Sequence, residues 1–383
     1  MSDDPKVATV IVNWNKKDYV LNLLNSLKTL DYQNHEIIVI DNASTDGSVE
    51  AIKQQFPRIQ VIVNSENLGG SGGFNTGIKH ALKKGGYKYI WLLDNDVEVE
   101  KDTLTELVET LEINKNVGIV GSAMYDLSNR EGLIEIGNFM NLSRGIMWGN
   151  KRFALKEDIE KDFYFVDSVS GCSLCASTEA IANVGIWDEN FFIYCDDVDW
   201  NIRFREKGYK IAAVSKSRIW HLPWEFKVGF NTVYYANRNM LYLMNKHLAS
   251  LNKIFGLIYK ELSIIWLSLF LLKSGQNLYS IIALKSIIDF VDMKTGKFKE
   301  EDFLERLKIN ASKGPYKEWL KTFMELVYKN AQKILILVKL TFKINTVETA
   351  RFFFKKFPEK SRIRIIKMIN DFLLSKRIKC MKT

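Results

Sequence analysis

Two carboxylates placed two residues apart are the clearest chemical signal in this chain of 383 residues. Asp94 and Asp96 follow the apolar run YIWLL, which is typical of a buried strand. Side chains two residues apart on a strand project to the same side, so these carboxylates would act together. Mg²⁺ or Mn²⁺ prefers oxygen ligands of this kind and completes its shell with phosphate and water. The spacing favours a metal–diphosphate site over a solvated turn.

A second acidic cluster could supply a general base. Asp196 and Asp197 are adjacent in the segment IYCDDVDW. Neighbouring carboxylates raise each other's proton affinity, which can prepare one of them to accept a proton. The alternative is that these acids begin a helix, where they favour the positive end of its dipole. His221, in SRIWHLPW, could be a packed or surface histidine or a metal ligand.

The elements that would position these residues alternate between strands and helices. This alternation predicts βαβ units and a mostly parallel sheet flanked by helices. Ligands bind at the carboxyl ends of such strands, so Asn13, Asp41, the glycine-rich segment 64–77 and Asp94 should meet at one edge. The predicted strands are 7–14, 36–40, 60–63, 89–93 and 117–121, and the predicted helices are 17–30, one beginning near Ser48, 74–84 and 102–113.

The second half of the chain changes character. Residues 127–167 predict short antiparallel strands and loops, 178–184 and 198–207 predict helices, and a strand is predicted over 210–214. After Tyr234 the pattern is helical throughout. Residues 254–272 are the most apolar, but two charged residues interrupt them, which favours an interfacial or packed helix over a spanning one. We therefore predict a first domain over 1–245 and a helical region over 246–383.

Composition narrows the class of protein. Hydrophobic residues make up 47% and charged residues 26%, with 5 Pro and 22 Gly, which excludes collagen-like and Pro/Gly-rich disordered chains. Four cysteines are too few and too unevenly spaced for a disulfide framework, and the lone pair Cys172 and Cys175 predicts small buried residues. The first residues lack the pattern of a signal peptide, which predicts a cytoplasmic chain.

The net charge of +9 is concentrated at one end. Residues 331–383 contain 14 Lys and Arg against 3 Asp and Glu, a charge of +11, which leaves −2 for residues 1–330. Basic residues interleaved with Phe, Ile and Leu are typical of helices that lie on an anionic membrane surface. Nucleic-acid binding is the competing interpretation, but the body offers no groove-reading motif. Self-association of the helices is a further alternative.

These landmarks, taken in order, resemble the inverting family-2 glycosyltransferases of the GT-A fold. The likeness covers about residues 7–247 and is far more specific than any single motif. It implies a Rossmann-like sheet followed by helices, and a reaction in which a sugar leaves a nucleotide donor in one in-line displacement. The matching segments are VIVNWN (10–15), IIVIDNASTDGS (37–48), NLGGSGGFNTGI (67–78), WLLDNDVEV (91–99), FFIYCDDVDWNIRFREKGYKI (191–211) and IWHLPW (219–224).

The resemblance implies a role for each matching residue. Asp41 would pair with the uracil of the donor, and Asp197 would be the catalytic base. Asp94, Asp96 and His221 would hold Mg²⁺ or Mn²⁺. The predicted donor-binding residues are Asn13, Asp41, Asn67, Gly70, Asn75, Asp94 and Asn95. The predicted acceptor-binding residues are Asp196, Trp187 and Trp224, with helix capping as the alternative for Asp196 and core packing for the two tryptophans.

A narrower likeness, to galactofuranosyltransferases and rhamnosyltransferases, comes from residues 121–149, 219–224 and 234–247. It favours UDP-galactofuranose as donor, then dTDP-rhamnose. The implied acceptor is a cell-envelope or polysaccharide glycan, carried on a lipid at the inner face of the membrane. Where galactofuranosyl enzymes carry an acid after Ile-Gly or Met-Gly, this chain has Asn138. The alternatives are an inactive nucleotide-binding or scaffold protein and a sugar-nucleotide transferase, which would need a Gly-rich loop with Arg and Lys after the first strand.

Overall fold

The structure is a computed structural model that describes residues 4–152, 154, 159–222, 229–303, 305, 319, 321–326 and 329. The chain divides into two compact units, Met1–Thr322 and Phe323–Thr383, and every helix and strand named below belongs to the first. Trp224 and the basic segment 331–383 lie outside the described residues. The predicted division near residue 245 therefore remains a prediction.

The first unit is built on a ten-stranded mixed sheet with the order β10-β12-β6-β11-β4-β1-β2-β3, in which β5 pairs with β12 and β7 with β6. A separate hairpin is formed by β8 and β9. The strands are β1 Val7–Asn13, β2 His35–Asp41, β3 Gln60–Val63, β4 Tyr89–Asp94, β5 Val97–Val99, β6 Val117–Asp126, β7 Leu133–Glu135, β8 Asn138–Asn141, β9 Ile146–Gly149, β10 Phe163–Val166, β11 Ser173–Ser177 and β12 Lys210–His221.

Helices cover both faces of the sheet because successive strand residues face opposite ways. In β1, Val7 and Ile11 pack in the cluster that contains helices α1 (Lys17–Leu27) and α4 (Thr103–Ile113), whereas Ala8 and Val10 pack in the cluster that contains α3 (Gly69–Lys84) and α6 (Asp196–Glu206). The helices are α1 Lys17–Leu27, α2 Ser48–Gln55, α3 Gly69–Lys84, α4 Thr103–Ile113, α5 Thr178–Val184, α6 Asp196–Glu206, α7 Phe230–His247, α8 Ser250–Lys273 and α9 Asn277–Val291. The predicted fold class is confirmed.

Strand register brings the polar strand ends together. The parallel pairs β1–β2 and β1–β4 place Asn13 opposite Asp41 and Val12 opposite Asp94. On the other half, β5 pairs antiparallel with β12 and places Val97 opposite His221. The turn that carries Asp96 is thereby brought alongside the end of β12. The strand predicted over 210–214 is longer than expected, since after an irregularity between Val214 and Arg218 its pairing with β6 continues to His221.

The glycine-rich segment is more helical than predicted. We expected a loop followed by a helix from Phe74, but α3 begins at Gly69. The reason is close packing of α3 on the sheet. A Cβ atom at Gly73 would lie 2.6 Å from the side chain of Val12, and one at Gly77 would lie 2.2 Å from that of Val10. These glycines therefore let a helix approach two strands, a requirement that outweighs their low helix propensity.

The helical region begins with α7, and α7, α8 and α9 pack on one another. Among the described residues, one helix, α8, is long enough and apolar enough to cross a bilayer, as judged by its length and composition only. Its mean hydropathy is 1.7. It is longer than the 254–272 run that the sequence suggested. Only 22% of its apolar window is buried. Its exposed large side chains are Leu251, Ile254, Phe255, Ile258, Tyr259, Leu262, Trp266, Leu269 and Phe270.

We predict that Gly77→Ala lowers the free energy of unfolding by about 1–3 kcal/mol, the usual cost of forcing a methyl group into a packed core. The added Cβ would meet Val10 and Ile40 at 2.2 and 3.2 Å. Gly70→Ala is the matched control, because its nearest neighbour, an oxygen of Asp196, would lie at an ordinary 3.5 Å. Urea unfolding of both variants measures the difference, and equal stabilities would contradict the packing argument.

Candidate active site at the carboxyl edge of the sheet

Two carboxylates and one imidazole converge where β4, β5 and β12 meet. Asp94 ends β4, Asp96 lies in the turn before β5, and His221 ends β12. One ligand atom from each of the three lies within 4.8 Å of the others. The Nε2 atom of His221 is 3.4 Å from Oδ1 of Asp96. Carboxylate oxygen and imidazole nitrogen suit Mn²⁺ or Mg²⁺, so the donor set fits the divalent ion that the sequence predicted.

An amide–carboxylate network occupies the ends of β1 and β2. Asn13 donates from Nδ2 to Asp41 at 3.1 Å and accepts from Asn95 at 2.7 Å. The other oxygen of Asp41 accepts from the backbone N–H of Ser44 at 2.8 Å. Asp41 is 0% exposed, so its present role is to hold Asn13 and the loop after β2. Each carboxylate oxygen keeps a second acceptor site, and the contact of Asp41 with a donor base stays a prediction.

The first turn of α3 lies beside the acidic pair. Asn67 accepts the Gly69 N–H at 2.8 Å and so shapes the entry to the helix. Ser71 donates its hydroxyl to Oδ2 of Asp196 at 2.8 Å. Gly70 also approaches Asp196, since its Cβ position would lie 3.5 Å from the same oxygen. Asp196 is buried and tied to α3, so the structure gives it a supporting contact and not an open acceptor-binding position.

Asp197 is the more accessible acid of the pair, with intermediate exposure. Its Oδ2 accepts from the Gly171 N–H at 3.0 Å and its Oδ1 from the Val198 N–H at 2.8 Å. Cys172 follows Gly171 in the chain, and its carbonyl accepts the N–H of Asp94 at 3.2 Å. Residues 171 and 172 therefore connect Asp197 on one side with the Asp94, Asp96 and His221 group on the other. Cys172 and Cys175 are buried free thiols, as the sequence predicted.

Desolvation changes the acidity of both members of the pair. Burial, and then the neighbouring charge of Asp197, raise the pKa of Asp196 to about 7, and the Ser71 hydroxyl opposes this rise. Desolvation also raises the pKa of Asp197, while the N–H groups of Gly171 and Val198 oppose it. A carboxylate with a raised pKa is a stronger base once ionised, which suits Asp197 for taking a proton from a hydroxyl.

Helix α6, which carries the pair, is anchored through Asp199. This residue is 0% exposed and bonds to Arg203, Lys246 and His247, each at 2.8 Å. Burial lowers the pKa of His247, but its bonds to Asp199 and Glu206 outweigh burial and the pKa is raised overall. The charged network joins the first turn of α6 to the end of α7. Asp199 is therefore used in support of the helix.

Two predicted site residues are placed in the core. Trp187 is 4% exposed and packs against Phe74 and Trp200 with ring centroids 5.1 and 5.4 Å apart. The core packing that we weighed for Trp187 thus replaces sugar stacking. Asn75 bonds to the backbone of Trp187 through both ends of its amide, at 2.9 Å, and to Glu189 at 2.8 Å. It holds the segment before the acidic pair through these bonds. Trp224 lies outside the described residues.

The sequence did not single out several contributors. Ser71 and Gly171 contact the acidic pair, but serine and glycine carry no signal outside a recognised motif. Glu135 lies within electrostatic reach of Asp197 and His221, and burial, opposed by the hydrogen bond from Asn138, raises its pKa. Asn138, the residue that replaces an acid, donates to Glu135 at 2.7 Å. A carboxylate therefore stands in this part of the site, three residues earlier than expected.

Comparison with known proteins agrees with this geometry. Residues 9–174 match the family model described as glycosyl transferase family 2. The chain is 25% identical over 221 residues to a poly-beta-1,6-N-acetyl-D-glucosamine synthase of Staphylococcus aureus, covering 56% of this chain and 50% of that protein. It is 25% identical over 244 residues to the galactofuranosyltransferase GlfT2 of Mycolicibacterium smegmatis, covering 58% and 38%. The chain thus matches half or less of the length of these curated relatives.

Among solved structures, S. aureus TarS 1–349 in complex with UDP-GlcNAc superposes with a TM-score of 0.50. The two chains are 14% identical, and the match covers 86% of this chain and 92% of the other. At this identity the likeness concerns the fold alone.

We predict that Asp196→Asn removes a pH-dependent loss of stability. A pKa raised from 3.8 to about 7 means that the folded state prefers protonated Asp196. Its stabilising effect is therefore complete below about pH 4 and is lost as the pH rises toward 7. As the pH rises over this interval, the free energy of unfolding of the variant should increase relative to that of the wild type. Urea unfolding at several pH values measures this difference. Parallel pH profiles for the two proteins would rule out the raised pKa.

Proposed function

We propose that the protein is a metal-dependent inverting glycosyltransferase, because residues 9–174 match the model of glycosyl transferase family 2. It would move a sugar from a nucleotide-sugar donor to a hydroxyl group of a glycan. The observation that carries the proposal is that two consecutive residues connect the acid to the proposed metal site. Gly171 donates its N–H to Asp197, and the carbonyl of Cys172 accepts the N–H of Asp94, which belongs to the Asp94, Asp96 and His221 group. A base and a diphosphate site at such adjacent positions are what an in-line displacement needs.

The chain's own residues divide the reaction between them. Asp197, held by two N–H groups, accepts the proton of the acceptor hydroxyl as that oxygen attacks the anomeric carbon. The bond from the anomeric carbon to the diphosphate breaks in the same step, so the configuration inverts. Asp94, Asp96 and His221 would hold Mg²⁺ or Mn²⁺, which when bound neutralises charge on the departing diphosphate. Asn13, Asp41, Asn67, Gly70 and Asn95 would contact the nucleotide.

The preferred donor is UDP-galactofuranose, followed by dTDP-rhamnose, and the preferred acceptor is a cell-envelope or polysaccharide glycan, carried on a lipid. The similarity to GlfT2 supports the galactofuranosyl donor, and the similarity to the poly-beta-1,6-N-acetyl-D-glucosamine synthase supports a polysaccharide acceptor. Release of nucleotide from a panel of UDP- and dTDP-sugars, with Mn²⁺ and a glycan acceptor, tests the activity. Release from none of them would favour an inactive nucleotide-binding protein.

The apolar face of α8 supports a place at the membrane surface on the cytoplasmic side. We define this face by its nine exposed large side chains, which recur every three or four residues from Leu251 to Phe270. Trp266 is the most exposed of the nine, at 71%. A continuous surface of this kind marks an interaction site. Aromatic and aliphatic residues together, in a chain whose far end carries +11, favour an anionic lipid surface as the occupant. Cytoplasmic location at the inner leaflet is part of this proposal.

We predict that Asp197→Asn separates catalysis from binding. The amide keeps the shape of the side chain but cannot accept the proton, so kcat should fall by about 10²–10⁴ while binding of UDP with Mn²⁺ stays near wild type. Asp96→Asn is the contrasting variant. It removes a metal ligand and should weaken UDP binding roughly tenfold or more together with turnover. Calorimetry and steady-state kinetics measure both, and an Asp197→Asn enzyme with more than about a tenth of wild-type kcat would exclude Asp197 as the base.

We also predict that the apolar face of α8 gives membrane binding that resists salt. Leu262→Ser with Trp266→Ser should strongly reduce co-sedimentation with phosphatidylcholine–phosphatidylglycerol vesicles at high salt, where charge attraction is screened. Ser263→Asn, at an exposed position on the same helix, is the matched control and should bind as the wild type does. The proposal would be wrong if the wild type formed a dimer without vesicles and the double variant were monomeric, because a second copy would then cover the face.

A further inference from the structure

The backbone that leads into Asp196 and Asp197 adopts a conformation that its residue types disfavour. Phe192, Tyr194 and Cys195 have φ angles of 66°, 66° and 63°. Side chains with a Cβ atom rarely adopt such left-handed values. The N–H of Ile193 donates to the carbonyl of Phe191 at 2.8 Å, which closes a γ-turn of the rare positive-φ type around Phe192. Such a segment persists only where the surrounding structure holds it.

One side chain from α7 gathers the carbonyl groups of this segment. Asn239 is 0% exposed, and the carbonyl oxygens of Phe191, Ile193 and Tyr194 lie 2.8, 2.7 and 2.9 Å from its Nδ2 and share its two hydrogens. Three carbonyl oxygens within reach of one amide nitrogen fix the path of the chain between residues 191 and 194. Cys195 and the acidic pair follow directly.

The preceding residue, Arg238, fixes the orientation of that amide. Its Nε donates to Oδ1 of Asn239 at 3.0 Å, so Nδ2 must face the carbonyl groups. Its Nη2 reaches the carbonyl of Phe191 at 3.3 Å, and its Nη1 donates to that of Gly296 at 2.8 Å. The guanidinium is 1% exposed and lies 4.9 Å from the ring centroid of Tyr235. We call Arg238 and Asn239, with these hydrogen bonds, the α7 clamp.

The opposite side of the segment is closed by α3. A Cβ atom at Gly69 would lie 2.1 Å from the carbonyl oxygen of Phe192, so only glycine permits this approach. The N–H of Ser71 donates to the same carbonyl at 3.3 Å, and its hydroxyl donates to Asp196. The segment is thus held between the α7 clamp and the first turn of α3. The hydrogen bonds of the α7 clamp go to the backbone of residues 191, 193, 194 and 296, none of which would react.

We propose that Arg238 and Asn239 are positioning residues that keep the 191–195 segment in its left-handed path and thereby aim Asp197 at the acceptor hydroxyl. The inference rests on the proposed transferase function. It adds to that function two residues that lie about 40 positions after the base in sequence. Because the clamp acts on the base and not on the donor site, its loss should lower kcat and leave the donor KM nearly unchanged. A role in folding alone would not produce that division.

The test is steady-state kinetics of the full chain with the best donor of the nucleotide-sugar panel. Asn239→Ala should lower kcat about 10–100-fold, the cost of misplacing a catalytic group by about 1 Å, with the donor KM within about threefold. Asn237→Ala is the matched control. Asn237 lies on the same helix, and its amide donates to the carbonyl of Val233 within α7, so kcat should change less than about twofold.

Rescue by a second substitution separates positioning from general damage. Cys195→Gly removes the steric cost of the left-handed conformation, so in the Asn239→Ala background it should restore kcat at least about fivefold. Cys195→Ala keeps that cost and should restore nothing. Equal rescue by both, or an Asn239→Ala enzyme with kcat within about threefold of wild type, would overturn the proposal.

Two further measurements cover the remaining outcomes. If Asn239→Ala does not fold, Arg238→Lys removes the Nε donor that orients the Asn239 amide and the contact with the Phe191 carbonyl, and it should show a smaller loss confined to kcat; an unchanged kcat would count against the proposal. If the wild type releases nucleotide from no donor, the proposed function is wrong. Hydrogen exchange of residues 190–197 then tests whether the α7 clamp holds the segment. Exchange should be faster in Asn239→Ala than in Asn237→Ala, and equal rates would refute the role of the clamp.

Discussion

The placement of Asp197 depends on a short stretch of backbone that would not keep its conformation alone. Phe192, Tyr194 and Cys195 take left-handed angles, each at a cost of about 1–2 kcal/mol. Together that cost is a substantial part of the 5–15 kcal/mol by which a domain of ordinary stability is folded. Asn239 and the first turn of α3 offset this cost by hydrogen bonding to the carbonyl groups of the segment. The strain is therefore located next to the acid that the proposed reaction requires.

The second constraint is the register of the sheet. Asn13, Asp41 and Asp94 share one edge because β1 pairs in parallel with both β2 and β4. His221 reaches the same edge only because β5 turns back from Asp96 and pairs with the last residues of β12. Residues 171 and 172, just before β11, then connect this edge with the start of α6. The residues of the proposed divalent-ion site and the proposed carboxylate base thus come together through backbone pairing.

Local pattern predicted much of this arrangement. The helix expected over 178–184 and the strand over 60–63 match the structure residue for residue, because their apolar periodicity is undisturbed by packing elsewhere. The start of α3 was missed because its glycines lower helix propensity, whereas their value lies in contact with β1. The burial of Asn75 was also missed, since residue type alone does not say which face a side chain occupies, whereas core packing of Trp187 was among the alternatives that the sequence offered.

The α7 clamp shows why the remainder could not be predicted. Arg238 and Asn239 fit a helical pattern, and nothing nearby in sequence indicates that their partners are carbonyl groups about 45 residues earlier. Backbone carbonyl groups belong to every residue and so carry no sequence signal. Only the folded chain brings them together. The group of Asp94, Asp96 and His221 is the opposite case, because the spacing of the two carboxylates already predicted a metal site and the family resemblance added His221.

The most direct test of the account is a crystal structure of the full chain soaked with Mn²⁺ and UDP, recorded at a wavelength where manganese scatters anomalously. We expect one anomalous peak bound by Asp94, Asp96 and His221 and in contact with the UDP diphosphate, with the Asp197 carboxylate facing the open side of that site. A manganese ion bound elsewhere, or a diphosphate remote from these three residues, would contradict the account.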